Sequence, residues 1–127
     1  MSTPPAAAPA GPATLEQLAA RLAEFARERD WDQFHSPKNL AMALAGEVGE
    51  LLEHFQWLSE EQSRYLAPAA REAVALELAD VLLYLVRLSD QLGIDLSAAA
   101  LRKIALNAEK YPAGQFRGSA RKYDAPG

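Results

Sequence analysis

Apolar positions recur at helical spacing from Leu15 to the end of the ordered pattern at Tyr111, and no segment sustains two-residue alternation. Leu15, Leu18, Leu22 and Phe25 mark a first helix over about 15–29, opened by the capping-box pair Thr14 and Gln17. Asp30 to His35, carrying Trp31 and Phe34, reads as a loop. Ser36-Pro37 supplies a cap and a first-turn proline for a second helix reaching about Trp57. Ser59 with Gln62 predicts a short helix near 60–66. Pro68 opens a third long helix that continues to Leu92, where Gly93 supplies the stop. Asp95 or Ser97 starts a fourth, which ends at Tyr111 before Pro112.

Four long helices without strands predict an all-α fold resembling a four-helix bundle. The third helix is unusual. From Val74 to Leu88 it is apolar over most of its circumference, an arc about twice the ~100° stripe of a surface helix. Such a helix is central or covered by another subunit, so a homodimer or homotetramer is expected. Pro4, Pro5, Pro9 and Pro12 block a helix over 1–13, which reads as a flexible tail. Residues 113–127 hold three glycines and several cations and read as a second flexible tail. One helical domain is left over 14–112.

The chain has 127 residues and a net charge of −4, a balance with no basic field for a nucleic-acid polymer. A single nucleotide is a different case, because a metal ion supplies the missing positive charge. The absence of cysteine excludes disulfides, thiolate metal sites and a Cys nucleophile. The N-terminus lacks a basic start and a Leu-rich run, and no uncharged apolar stretch is long enough for a membrane span. Cytoplasmic location, with no membrane partner, is the expectation.

The chemistry lies in a repeated acid-x-x-acid pattern. Glu47 and Glu50 share one face of the second helix, and Glu77 and Asp80 one face of the third. If those helices pack antiparallel, four carboxylates gather in one volume. Alone they repel and raise each other's pKa; a divalent cation reverses the sign. All-oxygen donors suit Mg²⁺, with Mn²⁺ as a substitute, better than zinc. Spacing alone also fits an ordinary solvated face, with Glu77, Asp80, Tyr84, Arg87 and Gln91 in one stripe. The broad apolar arc around that stripe favours a cleft. Gly46 and Gly49, each costing about 1 kcal/mol against Ala, point to close approach of a helix or ligand, or else are neutral.

Several blocks resemble the MazG-like nucleotide pyrophosphohydrolases, and among them the dCTP pyrophosphatase branch. They are Arg29-Asp30-Trp31-Asp32-Gln33-Phe34-His35, Pro37-Lys38-Asn39-Leu40, Glu47-Val48-Gly49-Glu50-Leu51 and Phe55-Gln56-Trp57. Glu77-Leu78-Ala79-Asp80-Val81-Leu82-Leu83-Tyr84-Leu85 follows, then Lys103-Ile104 through Asn107 to Lys110-Tyr111-Pro112, and Arg121-Lys122-Tyr123. The resemblance implies an all-α, dimeric or tetrameric enzyme that cleaves between the α- and β-phosphates of a nucleoside triphosphate. It implies Mg²⁺ held by Glu47, Glu50, Glu77 and Asp80; on chemical grounds a carboxylate of that cluster, Glu47 or Glu50, is the expected proton acceptor. It implies Trp31, Trp57 and Tyr84 around the base, His35 in the same loop, and Lys103 and Asn107 at the phosphates. One position departs: Leu22 stands where mammalian members of that branch carry a base-pocket His. A MazG-type hydrolase of broader or different base preference therefore stays open, as does a non-catalytic helical interaction module.

Overall fold

A computed structural model describes residues 12–125. The tail expected over 1–13 thus falls almost wholly outside the described residues. The elements in order are α1 (Leu15–Glu28), a 3-10 turn (Asp32–Phe34), α2 (Pro37–Glu53), α3 (Glu60–Arg64), α4 (Pro68–Gln91), α5 (Leu96–Lys110) and α6 (Ala113–Phe116). Among the described residues there is no strand, so the all-α expectation holds. The chain divides after Gly93 into two compact units.

The helix starts follow local chemistry. Thr14 Oγ1 accepts from the Gln17 N–H at 3.1 Å, and Gln17 Oε1 accepts from the Thr14 N–H at 2.8 Å. Ser59 and Gln62 repeat this box at α3, while Ser36 and Asp95 cap α2 and α5 through Asn39 N–H and Ala98 N–H. Each such cap contributes about 1 kcal/mol. Gly93 has a φ of +65° and ends α4 in the left-handed conformation that glycine adopts freely.

Some boundaries differ from expectation. α2 stops at Glu53 rather than Trp57, because the His54, Phe55 and Leu58 N–H groups bond only three residues back, to Leu51 O, Leu52 O and Phe55 O, in tighter turns. In the second unit, one helical turn, α6, lies within the stretch expected to be a tail. There Tyr111 meets Phe116 and Tyr123 edge-on at 4.9 and 6.0 Å between ring centroids.

In the first unit, α4 packs against α2 and α1. Arg87, late in α4, bonds to Asp32 and His35, which precede α2. His54 and Leu58, at and just after the end of α2, line a cavity of about 280 Å³ with Ala70 and Val74 of early α4. The two helices therefore run antiparallel. The enclosed apolar side chains among the described residues are Ala26, Leu40, Val74 and Val86. Leu76, Leu78, Leu82 and Leu85 of α4 stay at least 36% exposed in the single chain.

The glycines of α2 gave one expectation that fails within the chain. A Cβ built at Gly46 or Gly49 would meet nothing within 4 Å, so neither marks a close approach of another helix of this unit. Gly46→Ala should accordingly stabilise the protein by about 1 kcal/mol, read as a higher midpoint in urea at unchanged slope. A lower midpoint would place another surface against that face.

Candidate metal and nucleotide site

Antiparallel packing brings the two acidic pairs together. One carboxylate oxygen from each of Glu47, Glu77 and Asp80 lies within 4.8 Å of the other two. Glu50 is exposed and outside this set of three, but its carboxyl is near enough to raise the pKa of both Glu47 and Glu77. His54, one turn beyond Glu50, is near enough for its charge to favour ionised Glu77.

The electrostatics are those of a site short of positive charge. Glu47 Oε2 and Glu77 Oε2 are out of contact with water and have no hydrogen-bond partner. Loss of water pushes the Glu47 carboxyl up to about 7, helped by the hydrogen bond and charge of Glu50 and then by Asp80 and Glu77. Glu77 is raised as well, first by burial and then by the charges of Glu50 and Asp80. A hard dication would give both orphaned oxygens a partner and favour the ionised carboxylates. The donor set is all oxygen, which fits such an ion.

The aromatic loop sits at the other end of the same side of α4. Asp80, Tyr84 and Arg87 follow one another at helical spacing, so Arg87 lies about 10.5 Å along the axis from Asp80, nearly in line with it. Its side chain is only 7% exposed. Nε donates to His35 Nδ1 at 3.1 Å, Nη2 donates to Asp32 Oδ1 at 2.6 Å, and Nη1 lies 3.5 Å from Asp90 Oδ2. The Trp31 ring stands edge-on to Phe25 at 5.6 Å and to His35 at 6.4 Å, and is itself 44% exposed. Asn39 of α2 further ties the loop, donating to Phe34 O at 3.1 Å.

A family model of MazG-like proteins matches residues 43–125, a span that includes both acidic pairs. The chain belongs to the MazG-like family. Similar to this MazG-like chain is dCTP pyrophosphatase 1 of Homo sapiens, 49% identical over 112 residues, and that of Bos taurus, 51% identical. In both the match covers 87% of this chain and 66% of the relative, so the chain spans just under two thirds of their length. A crystal structure of a pyrophosphatase from Archaeoglobus fulgidus superposes with a TM-score of 0.73 at 38% identity, over 84% of this chain and 99% of that one. The acidic pairs of this MazG-like protein thus sit in a fold shared with a pyrophosphatase.

The other expected site residues fall in three places. Trp31 and His35 share the clamped loop. Tyr84 is half-buried on α4 between Asp80 and Arg87, whereas Trp57 stands 86% exposed in the turn after α2. Lys103 and Asn107 are exposed one turn apart on α5, within the second unit. Arg87 and Asp32 were not among the expected site residues: Arg87 belongs to a stripe that spacing alone leaves solvated, but its guanidinium is buried and paired with Asp32. The available signal was a cation deep in the apolar run that spans Val81 to Leu88 of α4. No helix among the described residues is long and apolar enough to cross a membrane.

Proposed function

We propose that this protein hydrolyses dCTP, or a modified pyrimidine analogue, to the monophosphate and pyrophosphate, with Mg²⁺ held by Glu47, Glu50, Glu77 and Asp80. The observation that carries the reading is the pair of buried, unpartnered oxygens on Glu47 and Glu77 within an acidic triad. The names of the relatives support the substrate and the bond cleaved. Bound Mg²⁺ supplies a Lewis acid that lowers the pKa of water and neutralises charge on phosphoryl oxygens, and Mn²⁺ can substitute. Glu47, or Glu50 beside it, accepts the proton of the attacking water. Trp31, Trp57 and Tyr84 offer ring faces to the base, a contact of the kind worth about 1–3 kcal/mol per base. For Lys103 and Asn107 as phosphate ligands, the support is the motif match. The proposed role is cleansing of the nucleotide pool in the cytoplasm.

The test is pyrophosphate release across common and modified nucleoside triphosphates, with Mg²⁺ and with chelator. dCTP or a 5-substituted analogue should lead the panel, and chelation should abolish release. Leu22, half-buried on α1 where mammalian members of the branch carry a His, favours a second reading, a MazG-type hydrolase of broader base range. A flat profile across bases would select it. No release from any nucleotide would leave a helical interaction module.

A second copy of the chain is the proposed cover for the exposed leucines of α4, giving a homodimer or a homotetramer. Sedimentation at micromolar concentration should show no monomer, and Leu82→Arg should shift the distribution to smaller species. A wild-type monomer would overturn this.

A further inference from the structure

Among the described residues Arg87 is the one buried cationic side chain, and its guanidinium is bonded to the aromatic loop. An arginine is permanently protonated and can only donate. His35 Nδ1 must therefore accept from Arg87 Nε at 3.1 Å, which leaves the ring proton of neutral His35 on Nε2. Burial, and then the Arg87 charge, hold the His35 pKa below its ordinary value, so the neutral ring dominates near pH 7. Nε2 lies across the ring from Nδ1 and points away from Arg87. Asp32 takes a second N–H of the same guanidinium, which fixes the loop at both ends of the Trp31–His35 segment.

Position adds the substrate. Arg87, to which the loop is bonded, lies about 10.5 Å along α4 from Asp80 on the same side of the helix, a separation on the scale of a nucleotide. A ring donor beside a half-exposed indole would meet a base that stacks there at its edge.

We propose that Arg87 is a positioning residue that locks His35 in its Nε2–H form, and that His35 reads a hydrogen-bond acceptor on the base, such as the O2 carbonyl of a pyrimidine. This rests on the reading of the site as a nucleotide hydrolase. Arg87 itself touches no substrate.

Two measurements test it together. Long-range ¹H–¹⁵N spectra of the imidazoles, with His35→Gln to identify the His35 signals, should show Nδ1 bare and Nε2 protonated. In Arg87→Met that pattern should give way to a mixture of tautomers, with KM for dCTP up about five- to tenfold, the scale of one lost hydrogen bond, and kcat changed less than about threefold. Should Arg87→Met not fold, His35→Phe and His35→Gln carry the test. Phe should raise KM similarly, and Gln, which keeps a donor and an acceptor, should restore it. An Nδ1-protonated ring, an unchanged KM in Arg87→Met or His35→Phe, or equal behaviour of Phe and Gln would overturn the proposal. A protein that turns over no nucleotide would sink the hydrolase reading instead; the tautomer and its dependence on Arg87 would then decide the clamp by themselves.

Discussion

Glu77→Gln should lower magnesium-dependent pyrophosphate release from dCTP by at least about a hundredfold, the scale expected when one preorganised charge is removed from a transition state. The amide is nearly the same size as the carboxylate, so packing between α2 and α4 is kept. What is lost is one of the two buried oxygens without a partner, and with it one negative charge of the cluster. The same variant should be more stable than the wild type when metal is absent. Glu77 is raised by burial and by the charges of Glu50 and Asp80, and a neutral amide escapes both effects while donating to a neighbouring carboxylate. Added Mg²⁺ should then shift its melting temperature far less than it shifts the wild type's. Wild-type turnover in this variant, or an undiminished magnesium shift, would remove Glu77 from the site.

The second large effect is on pH. With Glu47 pushed up to about 7, the metal-free protein carries a proton there below neutrality, and a cation must displace it. Apparent magnesium affinity should therefore be level above pH 7 and fall about tenfold per pH unit below it, for one proton displaced. Folding stability without metal should run the opposite way. A carboxyl whose folded pKa exceeds its unfolded value takes up a proton more readily when folded, so the contribution of Glu47 grows as pH falls from about 7 toward the ordinary 4.5. His35 opposes this trend. Its pKa is lowered on folding, so its contribution is present above its ordinary 6.5 and is lost as pH falls. Comparing Glu47→Gln with wild type isolates the carboxyl: the difference in stability should widen in favour of the variant above pH 7 and close below pH 5. A magnesium affinity independent of pH between 5 and 8 would contradict the raised Glu47.

Four helices were legible from chemistry at their starts: Thr14 with Gln17, Ser36 with Pro37, Ser59 with Gln62 and Asp95 all cap where the pattern places them, whereas α4 has no side-chain cap and was legible from Pro68 alone. The end of α2 was less legible, since Phe55 and Trp57 continue an apolar pattern that the backbone leaves for a turn. The acidic pairs were visible as spacing. Their meeting was not, because it depends on the relative direction of two helices, which no local pattern encodes. Arg87 shows the same limit. A helical wheel puts it beside Asp80 and Tyr84, but its partners Asp32 and His35 come from a segment more than fifty residues earlier. Glycine was misleading in the other direction: the price of Gly46 in helix propensity suggested a crowded face, and the face is open within the chain.

The leucines of α4 carry a consequence for abundance. With four apolar side chains enclosed among the described residues, the solitary chain has little of its own to resist unfolding. Whatever self-association shields Leu76, Leu78, Leu82 and Leu85 is then coupled to the folded state by mass action, so the melting temperature should climb with protein concentration. Cells that make more of this protein would, by that linkage, also make it hardier.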